Sequence, residues 1–143
     1  AYLLKYDSTH GALDFSVSGS DNAMLIEGDE IAILNFEHPD DAPWLKHTVD
    51  MVFECSGSFS DRTTAELHLS KGAGKILFSQ PAQMDVDATV VYGVNHHELM
   101  AKHTVVSAAS CTTNCIVPVI KILDDEIELC EWNIKLIGYW NSS

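Results

Sequence analysis

The sequence predicts an α/β fold: a parallel sheet, with a small antiparallel excursion near the N-terminus. From residue 49 onward, short runs of β-branched and apolar residues alternate with segments whose apolar residues recur at helical spacing. Strands that alternate with helices form parallel βαβ units in an open sheet. Before residue 35, short apolar runs are separated only by turn residues, such as 19–22 and 28–29, which is typical of antiparallel hairpins.

The predicted elements follow from these patterns in chain order. A helix end and a loop are expected over Leu3–Gly11, then strands at Phe15–Val17, Met24–Ile26 and Ile31–Leu34, a loop at Pro39–Pro43, and strands at Val49–Glu54, Ile76–Phe78, Thr89–Tyr92 and Thr104–Val106. Between the two buried strands, Ser60 or Asp61 can cap a helix that continues to Leu69, and Gly72 or Gly74 can end it.

The run SCTTNC at 110–115 is the most informative stretch of the chain. It follows a strand pattern and begins an apolar helix pattern, so Cys111 would lie at a helix N-terminus. Exposed N–H groups and the helix dipole favour a thiolate there, which is a nucleophile near neutral pH. A buried, unreactive cysteine is the alternative. Pro118 is expected early in this helix, where a missing N–H does least harm.

Composition narrows the classes of function. The chain has 143 residues, a one-domain length, and a formal charge of −13 from 8 basic and 21 acidic residues. Such a surface repels phosphate backbones, so nucleic acid is not an expected partner. No apolar run has the length of a membrane span and no basic leader opens the chain, so no membrane association is expected. The four cysteines form no Cys-x-x-Cys pair; a metal site is not expected, and the protein is predicted to be reduced and cytoplasmic.

The quoted motif and several other stretches resemble one known family. They are YLLKYDSTHG (2–11), Pro43-Trp44, VDMVFECSG (49–57), KILFSQP (75–81) and SAASCTTNC (107–115). Together they are similar to the glyceraldehyde-3-phosphate dehydrogenase family of aldehyde dehydrogenases, over roughly residues 1 to 125. The stretches VDATVVYGVN (86–95) and IVPVIKILDD (116–125) look more like its erythrose-4-phosphate branch.

The resemblance implies a partial Rossmann-type NAD-binding domain over residues 1–125, ending in the active-site helix, and a tail of uncertain origin over 126–143. It implies NAD as cofactor and a sugar phosphate as substrate, erythrose 4-phosphate ahead of glyceraldehyde 3-phosphate, oxidised through a cysteine thiohemiacetal and thioester. The implied nucleophile is Cys111, flanked by Ser110 and Thr112 as substrate contacts. Ser56, Gly57 and Ser79 match cofactor contacts, although plain strand-to-helix turns are the alternative for them. A full-length enzyme of this kind is expected to be a homo-oligomer.

Other features weaken the match. No Gly-x-Gly-x-x-Gly turn occurs, Ala108 stands where the family usually has Asn, and Glu37 lies near a position that often holds Arg. The family's catalytic histidine and substrate-binding arginines have no assigned counterparts. Solvated surface roles are expected for six histidines: His10, His47, His68, His96, His97 and His103. The alternative function is therefore a truncated, non-catalytic domain that pairs with an intact relative or has no activity.

In the tail, Trp132, Ile134, Leu136 and Tyr139 hint at a further strand.

Overall fold

A computed structural model describes residues 1–127 of the chain. The chain divides into two compact units, one from Ala1 to Asp41 and the other from Ala42 onward. The predicted strand in the tail and Cys130 lie outside the described residues.

The N-terminal unit contains one short helix and two antiparallel sheets. Helix α1 (Tyr2–Lys5) leads into a hairpin of β1 (Tyr6–Asp7) and β2 (Gly11–Ala12), and β3 (Val17–Gly19), β4 (Ala23–Ile26) and β5 (Asp29–Ala32) form a three-stranded meander, followed by a 3₁₀ turn at Pro39–Asp41. The turn between β4 and β5 holds Glu27 and Gly28 at positive φ, which tight hairpin turns require. This unit is the predicted antiparallel excursion.

The second unit is a four-stranded parallel sheet with helices. Its elements are α2 (Trp44–His47), β6 (Met51–Glu54), α3 (Arg62–Ser70), β7 (Lys75–Phe78), β8 (Ala88–Thr89), a 3₁₀ turn at His96–Glu98, β9 (Val105–Ser107) and α4 (Cys111–Ile127). The strand order is β6-β7-β9-β8, and every pair is parallel. The predicted α/β class with a partial Rossmann-type sheet is confirmed.

The core of this unit lies between one face of the sheet and α3. Alternate residues of the strands point into it, and Ile76, Phe78 and Val105 are buried there together with Ala65 of α3. On the other face, Phe53 keeps 64% of its surface exposed. The sheet is therefore well packed on one side only, within the described residues.

Both ends of α3 follow the predicted signals. The carboxylate of Asp61 accepts a hydrogen bond from the Thr64 N–H at 2.9 Å, so Asp61 rather than Ser60 is the N-cap. Gly72 follows the helix with φ +106°, and its N–H donates to the Leu69 carbonyl at 3.0 Å. A side chain would be strained in this conformation, so Gly72 rather than Gly74 ends the helix.

Several predicted boundaries are wrong. The strand expected over Thr89–Tyr92 is shorter and lies earlier, at β8 (Ala88–Thr89). The strand ends there because the Asn95 side chain accepts a hydrogen bond from the Val91 N–H at 2.8 Å, which turns the chain away from the sheet. The strand expected over Phe15–Val17 begins at Val17, and the loop after α1 is a hairpin. Pro118 does not lie early in its helix, because α4 begins at Cys111 and continues through the proline to Ile127.

Candidate active site

Three loops of the second unit leave the same edge of the parallel sheet. They follow the carboxyl ends of β6, β7 and β9, which are neighbours in the strand order. Hydrogen bonds continue beyond the strands: the Ser79 N–H donates to the Glu54 carbonyl at 3.1 Å, and the Ala108 N–H donates to the Phe78 carbonyl at 2.9 Å. The segments that carry the predicted site residues are therefore brought to one edge, where ligands bind in open α/β sheets.

The turn after β9 is held by a buried serine. Ser107 has no exposed surface; its Oγ accepts a hydrogen bond from the Ala109 N–H at 3.1 Å and donates to the Gln80 carbonyl at 2.8 Å. Ala109 has φ +62°, a left-handed conformation that costs an alanine about 1–2 kcal/mol. These hydrogen bonds support the turn in that conformation, and the turn delivers the chain into α4.

Side chains close in the sequence cap the N-terminal end of α4. The Ser110 Oγ accepts a hydrogen bond from the Thr113 N–H at 2.9 Å, and the Asn114 N–H donates to the Ser110 carbonyl at 2.9 Å. The side-chain amide of Asn114 donates back to the carbonyls of Ala108, at 2.7 Å, and Ser110, at 2.9 Å. Ser110 is thus the N-cap, a role that the resemblance did not assign to it.

Cys111 is the first residue of the helix and is exposed. Among the described residues, the N–H groups of Cys111 and Thr112 have no hydrogen-bond acceptor, while those of Thr113 and Asn114 do. Two backbone donors therefore remain at the start of the helix beside the sulfur. Exposure by itself does not single out this thiol, because Cys55 and Cys115 are exposed as well.

The turn after β6 carries Ser56 and Gly57. The buried carboxylate of Glu54 accepts a hydrogen bond from the Ser56 N–H at 2.7 Å, and the Ser56 Oγ accepts one from the Ser58 N–H at 3.1 Å. Gly57 has φ +75°, and a Cβ added there would meet no atom within 4 Å. The backbone of this turn is open to a ligand, and glycine is needed for its conformation.

A buried histidine stands behind Glu54. His68 is 3% exposed; its Nδ1 accepts a hydrogen bond from the indole N–H of Trp44 at 2.9 Å, and its Nε2 lies 3.7 Å from the Glu54 carboxylate. A neutral imidazole that accepts at Nδ1 carries its proton on Nε2, facing the carboxylate. The expectation of a solvated surface role for His68 is therefore wrong, because α3 places the ring between two polar partners.

Ser79 follows β7 directly and is exposed. Its Oγ donates to the Gln80 Oε1 at 2.9 Å, and the Gln80 Nε2 donates to the Phe59 carbonyl at 2.7 Å. The Ser79 hydroxyl therefore has lone pairs rather than a hydrogen to offer a ligand. The loop after β7 is in this way attached to the loop after β6.

The polar groups at this edge fit part of a dinucleotide. The exposed hydroxyls of Ser56 and Ser79 and the open backbone at Gly57 suit ribose hydroxyls and the carboxamide. The one arginine of the sequence does not add a phosphate contact, because Arg62 donates to Asp87 at 2.8 Å and to Glu66 at 3.0 Å. These residues fit the uncharged groups of NAD, and the pyrophosphate must find its partners elsewhere.

Sequence reasoning missed Ser107, Gln80, Asn114 and Glu54 as parts of this edge. Ser107 and Asn114 lie inside the motif around Cys111, so their position within it was an available signal. Gln80 lies inside the stretch KILFSQP, but that stretch did not indicate its hydrogen bonds, because they join backbone groups far apart in the sequence.

Across residues 1–127, no group of three His, Cys, Asp or Glu side chains is arranged to hold a metal ion. Over the same range, no helix combines the length and the apolar character that crossing a bilayer requires.

Residues 1–62 of the chain match the family model described as glyceraldehyde 3-phosphate dehydrogenase, NAD binding domain. The matched segment contains Ser56 and Gly57 and ends before Ser79 and Cys111. Because the matched domain binds NAD, it supports the predicted cofactor and an NAD-dependent dehydrogenase. Over residues 1–62, the chain is therefore similar to the NAD-binding domain of the glyceraldehyde 3-phosphate dehydrogenase family.

Proposed function

We propose that this chain supplies the nucleophile and part of the cofactor site of an NAD-dependent oxidoreductase acting on a sugar-phosphate aldehyde. One observation carries the proposal. Cys111 is exposed at the first residue of a capped helix, on the sheet edge that also bears Ser56, Gly57 and Ser79. A nucleophile and an open dinucleotide turn at one edge are what a cysteine-dependent aldehyde oxidation requires.

The chemistry assigned to Cys111 has three steps. The thiolate sulfur attacks the aldehyde carbon, which forms a C–S bond and places a negative charge on the former carbonyl oxygen. The N–H groups of Cys111 and Thr112 are available to stabilise that oxygen. The carbon then loses a hydride, and the thiohemiacetal becomes a thioester. NAD supplies the hydride acceptor when bound. Hydrolysis of the thioester frees the thiol.

Erythrose 4-phosphate is the favoured substrate, with glyceraldehyde 3-phosphate as the second candidate. The preference rests on the resemblance of residues 86–95 and 116–125 to the erythrose-4-phosphate branch. Ser110 and Thr112 flank the nucleophile and are proposed as substrate contacts. The hydroxyl of Ser110 is engaged in capping α4, so Thr112, which is exposed, is the better placed of the two.

Residues 1–125 are proposed as a partial NAD-binding domain and 126–143 as a separate tail. A full-length enzyme that contains this chain is proposed to be a homo-oligomer and to work in the cytoplasm.

A second candidate function is a non-catalytic domain that pairs with an intact relative. It is favoured by the sheet face where Phe53 is 64% and Met51 41% exposed.

The proposal is tested by detecting the thioester intermediate on Cys111. The full chain is incubated with NAD and erythrose 4-phosphate, and intact mass spectrometry follows the hydroxylamine-sensitive acyl adduct in one turnover. The chain alone is proposed to be weakly active at most, so a slowly formed adduct is expected on the wild type and on Cys115→Ser, whose thiol lies one helical turn away. No adduct is expected on Cys111→Ser. An adduct that persists in Cys111→Ser, or none in the wild type, contradicts the proposal. A parallel reaction with glyceraldehyde 3-phosphate ranks the two substrates.

A further inference from the structure

The loops after β6, β7 and β9 are joined by side chains that belong to no predicted contact with substrate or cofactor. From the Ala109 N–H, hydrogen bonds run to the Ser107 Oγ at 3.1 Å and from that Oγ to the Gln80 carbonyl at 2.8 Å. The Gln80 side chain continues to the Phe59 carbonyl at 2.7 Å. The chain of contacts begins two residues before Cys111 and ends two residues after Gly57.

We infer that Ser107 and Gln80 are positioning residues, whose hydrogen bonds set the nucleophile turn in a fixed place relative to the proposed cofactor turn. We name this chain of hydrogen bonds, from Ala109 through Ser107 and Gln80 to Phe59, the loop strut. The inference rests on the proposed function of Cys111 and adds to it the means by which two loops are held in register.

Burial gives the strut its rigidity. Ser107 has no exposed surface, so water cannot replace its partners without disturbing the core. Its hydroxyl is used twice, as donor and as acceptor, which leaves it little rotational freedom. Because Ala109 stands at φ +62°, the turn depends on these bonds more than an unstrained turn would. A shift of the loop after β7 would therefore weaken the hydrogen bond of the Ala109 N–H.

A substitution at Gln80 tests the inference without altering the residues of the nucleophile turn. Its side chain bonds to Ser79 and Phe59 and has no bond to Ala109, so a change at this side chain can reach the nucleophile turn only through the loop. Gln80→Met keeps the length of the side chain and removes its hydrogen bonds. Gln83→Met is the matched control, because Gln83 lies in the same loop with an exposed side chain.

The first experiment measures amide hydrogen exchange by NMR in the full chain. We expect Gln80→Met to speed exchange at Ala109 about tenfold. Exchange at Ile76, whose N–H donates to Thr104 in the core, should not change, and Gln83→Met should change neither amide. An unchanged Ala109 rate in Gln80→Met would overturn the inference.

A second experiment asks whether the two residues act as one unit. Ser107→Ala, Gln80→Met and the double variant are compared by the rate at which iodoacetamide labels Cys111, relative to Cys115 in the same molecules. Members of one network are not additive, so the double variant should be no slower than the slower single variant. Ser70→Ala is the control, because its Oγ also donates to a carbonyl, of Leu67, at 2.7 Å. Fully additive losses would contradict the inference.

Different results would contradict the proposed function of Cys111 and the inferred role of the loop strut. Equal labelling of Cys111 and Cys115 in the wild type would count against the proposed function, whereas the exchange rate at Ala109 decides the strut without reference to thiol reactivity.

Discussion

At the scale of single residues, the part of the chain that the structure describes presents three exposed thiols, and one of these three lies at a helix start. Cys55 follows β6, Cys115 lies in the second turn of α4, and Cys111 opens that helix beside two N–H groups without acceptors among the described residues. Since exposure is shared, any selectivity must come from the local amides and the dipole of α4. The proposed role of Cys111 therefore rests on its position at the start of α4.

The N-cap of α4 gives a prediction at this scale. Ser110→Ala removes the acceptor of the Thr113 N–H, and we expect the free energy of unfolding to fall by about 1 kcal/mol. Ser110→Thr keeps a capping hydroxyl and should retain most of the stability. Urea unfolding followed by circular dichroism measures both. Equal stability of the alanine variant and the wild type would show that this cap contributes nothing.

At the scale of elements, β6 and β7 approach closely at their amino ends. The Gly74 N–H donates to the Val49 carbonyl at 3.0 Å, and a Cβ at Gly74 would lie 2.6 Å from the Asp50 carbonyl oxygen. Gly74→Ala should therefore lower the free energy of unfolding by about 1–3 kcal/mol, because backbone must move. Thermal unfolding checks it. Gly19→Ala is the comparison and should lower the stability less, since that Cβ would come no closer than 3.2 Å, to the Ala1 side chain. Equal melting temperatures of Gly74→Ala and the wild type would refute the expected clash.

Elements were predictable where a local signal sets them. A cap at Ser60 or Asp61 and the apolar runs of β6, β7 and β9 are predicted from neighbouring residues alone. The structure confirms the three strands and places the cap at Asp61. The burial of His68 depends instead on a partner distant in the sequence, the indole of Trp44, and the end of β8 depends on a side-chain hydrogen bond between Val91 and Asn95. Periodicity contains no information about such partners.

At the scale of the larger unit, one carboxylate joins three segments. Asp87 accepts hydrogen bonds from Arg62 of α3 at 2.8 Å, from the Thr104 N–H at 2.7 Å and from the Val105 N–H at 3.0 Å. The bond from Arg62 first, and those from the backbone N–H groups, hold the pKa of Asp87 well below its ordinary value. Asp87 thus fastens α3 to the start of β8 and β9.

The sign of the pH effect follows from that lowered pKa. The unfolded chain binds this proton more readily than the folded chain, so the stabilisation by Asp87 is complete above the ordinary pKa of 3.8 and is lost as the pH falls below it. Asp87→Asn should lower the free energy of unfolding at pH 7 by about 2–3 kcal/mol and weaken its decline in acid. Asp85→Asn, at an exposed neighbour, is the control. Parallel acid-unfolding curves for Asp87→Asn and the wild type would contradict the assignment.

The candidate site was predictable in its outline and not in its supports. The motif around Cys111 and the small residues after β6 and β7 identify the sheet edge, because parallel strands expose their carboxyl ends together. Ser107 and Gln80, which connect the loops there, act through backbone carbonyls of other loops. Only coordinates reveal which carbonyl a side chain reaches.

The most direct test of the central claim, that Cys111 is the activated nucleophile, is its rate of alkylation near neutral pH. Limiting iodoacetamide is added to the native chain, and peptide mass spectrometry follows the labelling of each thiol with time. The account predicts that Cys111 is labelled at least about tenfold faster than Cys55 and Cys115, since thiolate, not thiol, is the reactive form. Equal rates for Cys111, Cys55 and Cys115 in the folded protein would contradict it.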